Sequence, residues 1–238
     1  MNIDLDNLLS SILGSIDEMD YIKPREIPGI DLYMDQVLTL MESKLRNSTR
    51  YPDTDKLLTK TMINNYAKED ILPPPVKKKY TKEHVLYLLF IYYYKGILSL
   101  DDIKTLFQPI GEKYFGREDG LSMEEIYDEV WKIEFAQMEQ MKKDIIRKYD
   151  KAESSFAKYE EEDTDYLKKF ALVCELCFDV YVKKLIAEKM IDEMREEYGI
   201  SGKADKGKVP AAEAEAPGKA ERKESKREEK RKEKELNS

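Results

Sequence analysis

Three consecutive prolines, Pro73–Pro75, divide two stretches that otherwise carry helix signals. Proline has no backbone N–H and pushes the residue before it out of the helical region, so a helix arriving from upstream must stop short of them. The segment LPPPVKKKY, residues 72 to 80, is therefore expected to be extended. Upstream, Thr59 is placed to cap a helix over TKTMINNYAKED; downstream, Thr81 is placed to cap a second, in which Leu86, Leu89, Phe90 and Tyr93 share a face. Gly96 is positioned to end that second helix. Ser99 and Asp102 have capping-box spacing and open a short helix, SLDDIKTLF.

Residues 59 to 68, wound at 100° per residue, put Met62, Ile63, Tyr66 and Ala67 on one side and Thr61, Asn64, Asn65 and Lys68 on the other. The first side is suited to packing. The second carries the residue types that read a DNA major groove: asparagine pairs bidentately with adenine, threonine touches base or phosphate, and lysine reaches phosphate. An ordinary solvated helix face would look the same. Beyond the prolines stand Lys77, Lys78 and Lys79, a stiffened basic loop suited to a phosphate backbone. From Lys56 to Lys82 seven lysines less Glu69 and Asp70 give +5, within a chain whose formal net charge is -8. The candidate DNA-binding residues are Lys60, Thr61, Asn64, Asn65, Lys68, Lys77, Lys78 and Lys79.

The run LTKTMINNYAKEDILPPPVKKKYTKEH, with IDLYMDQ before it and LSLDDI after it, closely resembles a bacterial family catalogued as domain of unknown function 1836, over roughly residues 30 to 107. More distantly, its order of capped helix, Leu-Pro turn, basic loop ending in Tyr, second helix and LSLDDI resembles the DNA-binding head of the mercury-resistance regulator (MerR) class. That likeness implies a winged helix-turn-helix. Under it Ile63 and Tyr66 fall where the recognition helix packs, Asn64 falls on a phosphate-contacting Arg position, and Lys78 falls on the basic residue of the wing. The loop of residues 72 to 80 is shorter than that family's wing, and NSTRYPDTD is longer than its helix-turn-helix turn.

Outside this region the composition, with 38% charged residues and only 10 glycines, favours helix. Residues 1 to 30 read as a short amphipathic helix and a linker containing Pro24, Pro28 and Gly29, and 31 to 110 as the winged helix-turn-helix-like domain. The helix of IDLYMDQVLTLMESKLRN carries Leu32, Val37, Leu38, Met41 and Leu45 along one face. Ser122 and Glu125 open a long helix to about Tyr149, and another spans about Asp165 to Tyr198. The region 121 to 200 is expected to fold as an antiparallel helical hairpin with Trp131, Met138, Ile145, Phe170, Phe178 and Leu185 inside. Residues 201 to 238 lack aromatic side chains and are expected to be a disordered charged tail. The fold class is thus mainly α: a MerR-like head, a C-terminal hairpin and a tail.

Several function classes are disfavoured. The acidic start MNIDLDNLL lacks a signal peptide's basic region and cleavage site, and no apolar run reaches the roughly 20 residues of a membrane span, so a cytoplasmic protein is expected. Cys174 and Cys177 form one CxxC with a single His in the chain, too few ligands for a zinc site, and read as helix core. His84 has no Ser/His/Asp set or phosphate-binding glycine loop beside it, and the acid run Glu160–Asp163 reads as a solvated turn. No catalytic residue, cofactor or metal is assigned. The expected partner is double-stranded DNA, with a homodimer through the C-terminal helices, because pairing two heads matches a palindromic site. The alternative is an adaptor that engages another protein through its acidic helical half.

Overall fold

A computed structural model describes residues 5–17, 22–51, 53–117, 119–159 and 163–200; the expected charged tail and Glu160, Glu161 and Glu162 of the acid run lie outside these. The described chain is mainly helical. In order it forms α1 (Leu5–Asp17), β1 (Leu32–Tyr33), α2 (Met34–Leu45), α3 (Lys60–Lys68), β2 (Lys79–Tyr80), α4 (Lys82–Tyr94), α5 (Leu100–Tyr114), α6 (Met123–Phe135), α7 (Met138–Ser154) and α8 (Thr164–Glu197). Single 3-10 turns stand at Pro24–Glu26 and Arg46–Ser48. No helix among the described residues is long and apolar enough to cross a membrane.

The caps form as the sequence requires. Thr59 accepts from the Met62 N–H, Ser99 from Asp102 and Ser122 from Glu125, each satisfying one of the orphan donors of a first turn. Between Thr81 and Lys95 the sequence VLYLLFI is apolar all round, and a helix of that kind has to be enclosed. It is: every residue of α4 from His84 to Ile91 is buried. Around it pack Val37, Met41 and Leu45 of α2, Ile63 and Tyr66 of α3, Ile103 and Phe107 of α5, and Met123 and Tyr127 of α6. Phe90 lies at the centre of an aromatic group, with ring centroids 5.3 Å from Phe107 and 5.1 Å from Tyr127.

This core continues past residue 110. The helix opened by Ser99 does not stop at Phe107 but runs through Pro109 to Tyr114. Gly111 is required there, because a Cβ would sit 2.8 Å from the Tyr87 hydroxyl, which donates to the Phe107 carbonyl at 3.2 Å. At the other end, the fully buried Tyr127 donates to the carbonyl of Ile22 at 2.9 Å, tying α6 to the segment that precedes β1.

The long helix expected from Ser122 to Tyr149 is two helices that part at Ala136–Gln137, where the Gln137 N–H turns to the Glu134 carbonyl in a 3-10 step. No Gly or Pro causes the break. The two halves pack on different partners: α6 into the core around α4, and α7 against α8. Ion pairs Lys148–Asp179, Lys151–Glu175 and Lys168–Glu153 descend on one helix as they rise on the other, so α7 and α8 are antiparallel. Lys148 is buried between Asp144 and Asp179, whose carboxylates hold its ammonium above the usual lysine range. The interior of this pair differs from the expected set. Tyr149, Ala152 and Leu172 fill it, Trp131 packs on the α4 core, and Phe170, Phe178 and Leu185 are more than half exposed. Cys174 and Cys177, expected in a helix core, are likewise exposed. At its far end α8 is anchored to α5: the Arg195 guanidinium lies 3.0 Å from Asp101 and 3.3 Å from Asp102, and donates to the Thr105 hydroxyl.

Replacing Tyr127 by Phe leaves the Ile22 carbonyl unpaired in the core and is expected to lower unfolding stability in urea by about 1 kcal/mol. Tyr127→Ala, which also opens a cavity, is expected to cost about 3–5 kcal/mol.

Candidate nucleic-acid interface

Helix α3 divides as its sequence pattern demands. Ile63 and Tyr66 are buried, Met62 and Ala67 are half-buried, and Thr61, Asn64, Asn65 and Lys68 are exposed. The helix ends at Lys68, before the prolines, and its last turn is closed when the N–H groups of Ile71 and Leu72 both donate to the Tyr66 carbonyl. Asp70 stands in the left-handed region, at φ 56°, with its carboxylate 3.6 Å from Lys104. The prolines then run on as irregular chain.

The basic segment is a reverse turn, which the proline argument does not foresee. Val76 and Lys79 form an antiparallel bridge, the Lys79 N–H donates to the Val76 carbonyl at 2.9 Å, and the two residues between them have φ of 50° and 64°. Positive φ at both central positions marks a type I′ turn, the tight hairpin connection normally supplied by Asn-Gly. Here both positions are lysine, Lys77 and Lys78, each exposed. A side chain in this region costs roughly 1 kcal/mol or more per residue, so the geometry is maintained by what surrounds it.

That surrounding is the small sheet. Strand β2 pairs antiparallel with β1, Leu32 opposite Tyr80 and Tyr33 opposite Lys79, with Leu32 and Tyr80 turned into the core. The Lys79 ammonium lies 5.7 Å from the centre of the exposed Tyr33 ring, within cation–π reach. Two residues on, Asp35 meets Lys60 at 2.6 Å; both are exposed, so the pair is weak and its lysine is available to a stronger anion. Lys60 opens α3 and Lys79 closes the lysine turn. The β1–α2 junction therefore brings the start of α3 and the base of the turn to its two sides. Tyr33 is the contributor that sequence reasoning missed, because it meets Lys79 only through the β1–β2 pairing.

Behind the turn lies His84. Its Nδ1 accepts from the Thr81 N–H at 3.0 Å, its ring stands edge-on to Tyr80 and Phe115, and its buried Nε2 meets no partner at hydrogen-bond geometry. Burial lowers its pKa, opposed by the nearby Pro73 and Pro74 carbonyls and by Asp31. The connection between α2 and α3 is held at two points. Lys95 donates to the Leu57 carbonyl at 2.6 Å and Arg46 to that of Asp55 at 3.3 Å.

The core that supports these elements begins with Ile22 and has Tyr127 as its last fully buried side chain. Residues 22–130 match DUF1836, a domain of unknown function. The DUF1836 match is wider than residues 30 to 107, and the Tyr127–Ile22 hydrogen bond is the physical reason its two ends belong together. The candidate residues all fall within it. No curated protein and no solved structure matches the chain.

Exchanging Lys77–Lys78 for Asn–Gly relieves the positive-φ cost and is expected to raise stability by about 1 kcal/mol, read as a higher urea midpoint at unchanged slope. For His84, the unfolded chain takes up its proton at higher pH than the folded one. Stability is thus full above about pH 6.5 and declines as pH falls below that value. His84→Gln is expected to flatten this decline in urea midpoints measured between pH 7.5 and about pH 5.

Proposed function

We propose that the DUF1836 segment is a winged helix-turn-helix of the MerR kind and that the chain is a sequence-specific DNA-binding regulator. In this reading α2 and α3 are the two helices of the motif, α3 enters the major groove, and the Lys77–Lys78 turn is a minimal wing on the phosphate backbone. The observation that carries the reading is the pair of lysines held at positive φ on a tight turn. Asparagine and glycine form such a turn at lower cost, so the retained strain at an exposed basic tip points to a ligand for that tip. An anionic backbone fits both lysines.

Helix α3 adds the specificity. Its nine residues span roughly 14 Å, comparable with the groove's width of about 12 Å, and its outward side chains include the amide and hydroxyl groups that read base edges. Lys60 and Lys79, on either side of the β1–α2 junction, supply phosphate contacts on both flanks of that helix. The chain's overall acidity does not oppose this, because attraction to DNA is set by charge at the contact surface within a Debye length of about 10 Å.

The adaptor reading has one observation in its favour, the exposed apolar side of α8. That face and the basic turn are different surfaces, and they are tested separately. Lys77, Lys78 and Lys79 changed together to Ala are expected to weaken binding to every duplex and to reduce the slope of log K against log salt by about 2 to 3. The check is fluorescence anisotropy on labelled duplexes from low to moderate salt. Binding that is indifferent to salt, or retention of the full slope by the triple variant, excludes the proposed contact.

A further inference from the structure

Four helix starts among the described residues carry a capping box, in which the side chain three places into the helix accepts from the backbone N–H of the capping residue. In α2, α5 and α6 that side chain is Gln36, Asp102 and Glu125 in turn. All three accept through oxygen, which keeps a lone pair at any pH. In α4 it is His84, the single histidine of the chain. Its Nδ1 accepts from the Thr81 N–H at 3.0 Å and stands 2.8 Å from the Thr81 hydroxyl, so the neutral ring carries its proton on Nε2. A second proton has to add at Nδ1, where it points at a backbone N–H. Donor then faces donor, and the acceptor that the cap needs is gone.

This cap sits at the root of the lysine turn. Thr81 follows Tyr80, whose ring stands edge-on to His84 at 5.4 Å and whose backbone pairs with Leu32. Lys79 and Val76 close the turn, and Lys77 and Lys78 hold positive φ between them. A strained tip keeps its shape while its ends are anchored, and here the C-terminal anchor is Tyr80, Thr81 and His84 together. A charged ring weakens that anchor twice. The Thr81 N–H loses its acceptor, and an imidazolium at a site only 1% exposed has to turn toward other acceptors or water. Asp31, ahead of β1, and the Pro73 and Pro74 carbonyls favour the charged form, while desolvation opposes it more strongly. The other polar groups nearby are engaged: Glu83 accepts from the Gly116 N–H at 2.9 Å, Lys82 pairs with Glu124 at 2.7 Å, and the Tyr87 hydroxyl donates to the Phe107 carbonyl. Burial keeps the Tyr80 phenol neutral. We propose that His84 is a proton switch for the lysine turn: a proton on its Nδ1 breaks the Thr81 cap and releases Lys77, Lys78 and Lys79 from their fixed geometry. The switch stands whether or not the turn meets DNA; in the reading of the turn as a phosphate contact, the proton sets how much of that contact is in place.

The test is a titration of the isotopically labelled full chain from about pH 7.5 to about pH 4.5, with the His84 ring nitrogens and the backbone amides followed together. At the upper end Nδ1 is expected to carry no proton. As the ring charges, below about pH 6.5, hydrogen exchange at the Lys79 and Thr81 amides is expected to quicken by about tenfold or more after correction for its intrinsic dependence on pH, well ahead of Tyr149 and Leu172 in the α7–α8 pair. His84→Gln keeps an oxygen acceptor at the cap, as Gln36 does in α2, and is expected to hold both amides at their neutral-pH rates throughout. A ring that titrates while the Lys79 and Thr81 amides stay protected overturns the proposal. So does a ring whose Nδ1 is already protonated at about pH 7.5, or one that takes up no proton before the chain unfolds. Exchange that quickens equally at Tyr149 and Leu172 is general loosening and overturns it too, as does a folded His84→Gln variant whose turn amides quicken with acid like those of the wild type.

Discussion

The complete enclosure of α4 is the constraint on which the rest of the structure depends. A helix with the sequence VLYLLFI offers no polar side to solvent, so other elements have to cover every direction around it. Helices α2 and α3, the β1–β2 pair, α5 and α6 are recruited in turn, and each thereby acquires one buried and one exposed side. The exposed side of α3 is what remains after Ile63 and Tyr66 are spent on the core. The same enclosure fixes the lysine turn, because Tyr80, at its C-terminal edge, is buried beside His84 at the start of α4.

From this follows a division between rigid support and working surface. Tyr80, Leu32 and His84 are locked by packing, while Lys77 and Lys78, three and two residues before Tyr80, are exposed at positive φ. Strain at an exposed tip is sustainable when its two ends are held this firmly, and here the cost is borne by the β1–β2 pairing and by burial around His84. The C-terminal half follows a different rule. Helix α8 packs on α7 along one side and leaves apolar side chains exposed on the other, with one end clamped to α5 through Arg195.

What the sequence made legible was local. Thr59, Thr81, Ser99 and Ser122 mark helix starts because capping is a short-range interaction between residues three apart, and the two sides of α3 follow from periodicity alone. Pro73–Pro75 correctly ends α3. The I′ turn was not legible, because lysine is a poor residue for positive φ and tertiary packing overrides that preference. Nor was the division of α6 from α7, which lies at Ala136–Gln137 with no breaker residue and arises from the helices packing on different neighbours. Phe170, Phe178 and Leu185 were expected inside the hairpin since apolar periodicity reports which residues share a face, not which face meets the neighbouring helix. Tyr33 as a neighbour of Lys79 depends on pairing across more than forty residues, beyond the reach of local pattern.

The central claim is that one surface, the outward side of α3 together with the lysine turn, meets duplex DNA. The most direct measurement is the change in backbone amide resonances of the isotopically labelled chain as duplexes recovered by selection from genomic DNA are added at low salt. The shifts are expected to concentrate at Thr61, Asn64, Asn65 and Lys68 and at Lys77 to Lys79, with α7 and α8 unmoved. Shifts confined to the C-terminal helices, or a spectrum unchanged at saturating duplex, would contradict it.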